Sequence, residues 1–378
     1  MKITGIICEY NPFHLGHRKQ LALAKTESDA IVCLMSGNYV QRGAPAVFDK
    51  ISRAETAVRC GADLVLELPT TVSLRSAEGF AAGGVEILSP FCTHLSFGAE
   101  NAQVGSLMGT AEALLREDFP QALHLQLDKG LSFPAARQAA LESMGVDASL
   151  LQQPNNILAV EYCKAILSQK AKLTPLPILR QGSYHDTTPD KENPSATSVR
   201  KLIEQAKPWQ NYVPAEATVC FHGNRVHALK NAETAILGRL RSMTEEEFSQ
   251  LPYGSEGLWR KLMHAVRQKA TLEEILTAVK SKRYTRSRLD RMVLCAFLGI
   301  RRDMLHSPAP YVRVLGFNDT GRKVLKLARE HGSFPNIGED TKNPYQLWEH
   351  RWGDLYGLFA PTPEKAGTEK EYRVYYHN

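Results

Sequence analysis

The sequence predicts an α/β chain: a parallel β-sheet covered by helices on both faces, followed by a mainly α-helical domain. Three observations lead there. Short, continuous apolar runs alternate with helix-period segments through the first half, the pattern of strands buried on both faces. The 378 residues exceed what one core usually holds, so two domains are expected. Charge divides the chain as well: residues 1–205 carry 19 Lys and Arg against 21 Asp and Glu, so the whole excess behind the net charge of +6 lies in the second half. The character changes near Trp209 to Pro214, which sets the expected domains at 1–208 and 209–378.

The first strand is "KITGIICEY" (2–10), followed by the helix "LGHRKQLALAKT". "DAIVCLMS" (29–36) is the second strand. A long polar loop then leads into the helix "FDKISRAETAVRCG", which Asp49 is placed to start. "ADLVLELP" (62–69) and "THLSFGAE" (93–100) are the next strands, separated by "AEGFAAGGVEIL" and followed by "AQVGSLMGTAEALLRE". Residues 118–170 read as helical, and "PLPILRQG" (175–182) is a further strand. A polar loop, "SYHDTTPDKENP", precedes a short helix from "SATSVRKLIEQA". Beyond it "ETAILGRLRSM", "EGLWRKLMHAVRQKA", "TLEEILTAVKSK" and "RLDRMVLCAFLGI" all show helical spacing. The tail "KEYRVYYHN" alternates aromatic and polar residues, as a pairing strand does. In a sheet of this kind a ligand sits outside the carboxyl ends of the strands, where the strand order reverses.

Composition narrows the class. Seven widely spaced cysteines without a C-x-x-C pair argue against a disulfide framework or a zinc site and for reduced thiols in the cytoplasm. Apolar runs fall short of a membrane span, and His and Glu follow the first one where a cleavage site would need small residues. The basic excess of the second half fits a polyanionic partner, and equally a solubilising surface.

The chemistry concentrates at the ends of the expected strands. His14-Leu15-Gly16-His17 lies in the turn from the first strand into the first helix. Gly16 lets backbone approach a ligand, the helix start attracts phosphate, and two imidazoles can donate to phosphoryl oxygens. The turn reads as a triphosphate cradle; taken alone, H-x-G-H also describes a surface turn. A metal held by the two histidines lacks a partner at ligand spacing. "GFNDTGRK" (316–323) has P-loop glycine spacing, but Arg322 and Lys323 stand where Lys and Ser or Thr belong, and it sits in the helical half. No G-x-G-x-x-G occurs. In the loop after the second strand, Gln41, Arg42 and Lys50 are expected to face substrate. Gly98 offers bare backbone to an adenine or ribose, Asn155 and Asn156 stand at a helix start, and Arg180 follows the last strand. "SATSVR" brings hydroxyls to a helix start and Arg200 one turn later, a second phosphate contact. The stretch 280–302 holds eight Lys and Arg, one acid and Tyr284, suited to RNA phosphates and base stacking, or to a solvated helix face. Trp259, Trp348 and Trp352 are expected in packing.

"HLGH" with "SATSVR" resembles the HxGH and ISSTxxR motifs of the nucleotidylyltransferase superfamily, which binds ATP on a Rossmann-like sheet and reacts at the α-phosphate. Within it, "EYNPFHLGH", "MSGNYVQRGAPA", "RAETAVRCGADLVLELP", "FGAE", "PNNIL", "RQGSYHD" and "KRYTRSRLDRMVL" resemble the bacterial tRNA(Met) cytidine acetate ligase family, over nearly the whole chain. The chain departs from that pattern at Ala44, where an acidic residue is expected, and at Arg18-Lys19-Gln20, where an aromatic-His pair is usual. The resemblance implies that His14 and His17 are catalytic. It implies that Ile7, Cys8, Glu9, Tyr10, Asn11, Pro12, Phe13, His14, Leu15, Gly16, His17, Arg18, Lys19 and Gln20, with Gly98, Asn155, Arg180 and Arg200, bind ATP. Lys282, Arg283, Tyr284, Arg286, Arg288 and Arg291 are the expected tRNA contacts. Domain 1–208 would then be the Rossmann-like catalytic unit and 209–378 the tRNA-binding one. The implied reaction makes acetyl-adenylate and diphosphate from acetate and ATP, then acetylates N4 of cytidine 34 of elongator tRNA(Met) and releases AMP. Magnesium on the phosphates is compatible with this chemistry, although no acidic motif calls for it. The alternatives are a nucleotidylyltransferase of cofactor biosynthesis, which needs no basic helical domain, and a non-catalytic RNA-binding protein.

Overall fold

The computed structural model describes residues 1–180, 189–308, 312–330 and 344–378. Residues 181–188 of the expected "RQGSYHD" motif and polar loop lie outside them. The apolar runs form β1 (Ile3–Cys8), β2 (Ala30–Ser36), β3 (Leu64–Leu68), β4 (His94–Ala99) and β5 (Thr174–Leu179). These five are parallel, with Ile3 to Cys8 in register with Ala30 to Met35. β2 and β3 are buried along their whole length, which is why they read as unbroken apolar runs.

The helices used below are α1 (Leu15–Thr26), α2 (Lys50–Arg59), α3 (Ala77–Leu88), α4 (Pro154–Ser168), α5 (Ala196–Glu204), α6 (Arg286–Leu298), α7 (Asp319–Glu330) and α8 (Pro344–Tyr356). α3, α4 and α7 cover one face of the sheet, around Ile7, Leu66, Phe80, Phe97 and Tyr162. α1, α2 and α5 cover the other, around Ile6, Phe13, Leu21, Cys33 and Val199. A third core, built mainly from the second-half helices, takes in Tyr39 and Leu74 from the first half.

The chain after residue 209 is mainly helical, yet two of its segments return to the sheet. β6 (Arg313–Phe317) pairs antiparallel with β3, and β7 (Tyr375–Tyr376), in the aromatic tail, pairs with β6. The seven strands stand in the order β5-β4-β1-β2-β3-β6-β7. "GFNDTGRK" therefore lies between a strand and a helix, contrary to the expected helical setting. Phe317 pairs with Leu64, so that turn faces the amino ends of the parallel strands, away from the reversal of strand order beside β1.

Lys50 does not face substrate, as the loop had led us to expect. It is 1% exposed and pairs with Glu67 at 2.7 Å and with Glu369, which also holds Arg313. Burial pulls the ammonium pKa down, but Glu369 and Glu67 outweigh it and the net shift is upward. Glu349 on α8 joins this group, accepting from Thr70 N and Oγ1 at 2.8 and 2.7 Å.

Candidate active site

β1 ends where the strand order reverses, and a cavity of about 700 Å³ opens there. The chain leaves the strand through Tyr10, whose φ of 44° bends the backbone sharply at a buried aromatic. Its ring meets Phe13 edge-on and His17 at a tilt, with centroids 4.7 and 4.9 Å away. Arg53, fully buried on α2, donates to the carbonyls of Glu9 (2.6 Å), Ser36 (3.0 Å), Phe48 (2.9 Å) and Gly37. One guanidinium thus ties the ends of β1 and β2 together beneath the site.

His14 caps α1. Its Nδ1 accepts from Gly16 N at 3.1 Å, and His17 Nδ1 accepts from His14 N at 3.3 Å. The rings stack with centroids 3.6 Å apart. An N–H donor on each Nδ1 places each ring proton on Nε2. His14 Nε2 is buried with no partner among the described residues. Burial lowers both pKa values, aided at His14 by His17 and at both by Arg180 and Arg200; His17 falls to about 3. Both rings are neutral Nε2–H donors at pH 7. The Gly16 amide at the helix start is thus taken up by His14.

Around this pair stand the other expected groups. Arg200 Nη1 donates to Asn11 O at 2.6 Å, and Arg180 Nη1 to Asn155 Oδ1 at 3.1 Å. The Ser195 hydroxyl caps α5 by accepting from Ser198 N and donates to the Ser198 hydroxyl at 3.0 Å, and the Ser198 hydroxyl donates to Ser195 O, so both serines are engaged within the helix start. Gly98 leaves open space where a side chain would stand. The start of α4 is capped from outside: Glu100 accepts from Asn156 N at 2.7 Å and from Asn155 Nδ2 at 2.6 Å.

Of the first segment, Ile7 to Asn11, His14, Gly16, His17, Lys19 and Gln20 line the cavity. Phe13 is core beneath it, Pro12 and Leu15 do not reach it, and Arg18 turns outward to pair with Glu216 at 3.0 Å. Gln41 and Arg42 line the cavity from a hairpin, Tyr39–Val40 against Ala44–Pro45. Gln41 N donates to Glu9 at 2.9 Å. The hairpin tip presses on α6: a side chain at Gly43 would come within 2.6 Å of the Asp290 carbonyl carbon. Arg286 reaches the cavity mouth.

The other basic residues sort by depth. Arg283 pairs with Glu256 (2.9 Å), Arg286 with Glu273 and Asp290 (2.8 Å each), and Arg288 bonds Tyr253 O. Lys282 makes no ion pair among the described residues, and Tyr284 bonds Glu256 at 3.1 Å. Arg291 is a correction: it is 7% exposed, stacks on Tyr253 and donates to Gln41 O at 3.2 Å, so it joins α6 to the hairpin and is not a surface contact. Trp352 is buried, with Nε1 on Leu298 O at 2.9 Å.

Sequence reasoning missed Arg53 and Glu100. Arg53 reads as any helix arginine; Glu100 directly follows a strand and had been grouped with it.

A parallel sheet with a two-histidine turn at its switch point and guanidinium groups converging on it defines a nucleotidyl transferase, and the family model for the HIGH Nucleotidyl Transferase matches residues 1–370. The tRNA(Met) cytidine acetate ligase of Clostridium novyi is 36% identical over 89% of each chain, and that of Halothermothrix orenii 34% identical over 99% of each. The apo crystal structure of Thermotoga maritima TmcAL superposes with a TM-score of 0.92 at 29% identity, covering 100% of this chain and 99% of that one. The same protein bound with alpha-thio ATP gives 0.87 over the same coverage, also at 29% identity. The chain belongs to the tRNA(Met) cytidine acetate ligase family.

Proposed function

We propose that this protein activates acetate with ATP and acetylates N4 of cytidine 34 in elongator tRNA(Met), in the cytoplasm where that tRNA is used. The observation that carries the reading is the stacked His14–His17 pair, two neutral N–H donors flanked by Arg180 and Arg200 at the end of β1.

An acetate oxygen attacks the α-phosphorus. The bond to the β-phosphate bridge breaks, and diphosphate leaves with its electron pair. His14 and His17 donate to the phosphoryl oxygens as charge grows, and the arginines hold the diphosphate. Acetate is a poor acyl donor; adenylate makes it a good one. The cytidine amine then attacks the acetyl carbon, AMP departs, and the amine loses a proton. No protein nucleophile is needed. Among the described residues no three His, Cys, Asp or Glu side chains converge as metal ligands, so magnesium would ride on the ATP phosphates as part of the substrate.

Lys282, Arg283, Tyr284, Arg286 and Arg288 support an RNA approach from α6, with Arg286 bordering the cavity. Phosphates there would replace Glu256 and Glu273 as partners. No helix of the described residues is long and apolar enough to cross a membrane.

The test incubates the protein with labelled acetate, ATP and total tRNA and digests the RNA to nucleosides. Label in acetylcytidine, with salt-sensitive retention on bulk tRNA, is the expected result. RNA retained without label or diphosphate release would make it a binding protein; diphosphate release without tRNA dependence would make it a cofactor-forming transferase.

A further inference from the structure

The cavity has two ends of different chemistry. One carries the histidines, the arginines and the bare Gly98 backbone. The other lies under α3 and α4, where Ile7, Ala77, Phe80, Phe97, Leu158 and Tyr162 form its wall. Strand alternation separates the two: Phe97 belongs to the core on the α3–α4 face, and Gly98 points to the opposite one. Leu158 and Tyr162 are four apart on α4 and present one surface. Phe80, Phe97 and Tyr162 are each 5% exposed or less, and Ala77 and Leu158 are half-buried. The Phe97 and Tyr162 rings stand 5.4 Å apart and fix each other.

One polar atom breaks this apolar wall. Tyr162 is 2% exposed and its hydroxyl has no hydrogen-bond partner among the described residues. Burial, then the nearby Cys8 and Glu9, push its pKa far up, so it stays a proton donor. The Glu9 carboxylate at this end is engaged through Oε1 by the Gln41 amide. A donor that opens onto an otherwise apolar stretch of cavity wall is matched by a ligand with one oxygen acceptor and a short hydrocarbon group.

We propose that this end is the acyl pocket: the Tyr162 hydroxyl holds an oxygen of the acetate, and Phe80, Phe97 and Leu158 enclose its methyl group. It rests on the acetate-activating reading above and supplies the part that reading leaves open, the residues that select acetate over longer acids. ATP then occupies the Gly98 side, and the carboxylate meets the α-phosphate at the end of β1. Bond making is as already described; Tyr162 donates a hydrogen bond and keeps its proton.

Two variants test it, by initial rates of tRNA-dependent AMP formation. Tyr162→Phe keeps the ring and removes the donor; the acetate KM should rise at least about tenfold, the cost of a lost hydrogen bond to a charged group, with the ATP KM unchanged. Leu158→Ala, at a half-buried position that tolerates truncation, should raise the propionate-to-acetate ratio of kcat/KM about tenfold, as one methylene of room allows. An unmoved acetate KM in Tyr162→Phe, or an unmoved ratio in Leu158→Ala, overturns the proposal. A rise in ATP KM alone overturns it too and assigns the pocket to adenine. Should the wild-type protein acetylate no tRNA with any acid, the functional reading itself falls and the pocket falls with it. That result is separate from a working wild type with indifferent variants.

Discussion

His14 and His17 exchange backbone bonds so that each imidazole has its Nδ1 occupied and its Nε2–H turned to other use. A charged imidazolium would fit this place badly, since burial and two guanidiniums oppose it. The sign of the pH effect follows. As pH falls below about 6.5 the unfolded chain takes up protons that the folded one refuses until about 3 at His17, so stability declines over that interval. In the ligand-free protein the His17 ring resonances should not titrate between pH 5 and 8; a midpoint near 6.5 would contradict the buried neutral pair. His17→Ala should lower acetyl transfer about 10²- to 10³-fold, the usual loss for one transition-state donor, while tRNA retention survives. Equal loss of both would mean that the turn had only a structural role. The histidines were legible because they sit in a fixed spacing after an apolar run. Arg53 was not: four carbonyls around a guanidinium leave no periodic trace in a sequence.

At the scale of elements, the parallel strands were readable because both faces are buried and their residues are apolar without interruption. The hairpin Tyr39–Val40/Ala44–Pro45 was not, since strands of two residues carry no alternation. Yet this hairpin joins the carboxyl end of β1 to α6. Gln41 gives its N–H to Glu9 and its carbonyl to Arg291, and Gly43, at φ 80°, lies flat on the helix backbone. A methyl group at Gly43 meets unyielding main chain and a backbone conformation that L-residues avoid. Gly43→Ala should therefore destabilise by roughly 2–4 kcal/mol in urea titration, through overpacking and positive φ together. A change below about 0.5 kcal/mol would show that the hairpin is not seated as described. β6 went unnoticed because its run, "VRVLGF", was read with its helical neighbours.

For the whole molecule, the halves read from composition share one sheet and one buried charge group. Burial and the charge of Glu67 raise Glu349 to about 7. Between pH 4.5 and 7 the unfolded chain is ionised there and the folded one is protonated, so stability falls as pH rises through that window and is level above it. Glu349→Gln retains an acceptor for Thr70 and should flatten this decline, a difference of at most about 3 kcal/mol between pH 5 and 7.5 by denaturant unfolding. An identical slope in the variant would exclude Glu349 as its source. No reading of the sequence joined Lys50 to Glu369, which lie 319 residues apart. That span bears on biosynthesis. While the nascent protein is still being made, its first half must wait with Lys50 partnered by Glu67 alone and an open sheet border, and an interrupted translation product would lack the second carboxylate, Glu369, that completes the buried group.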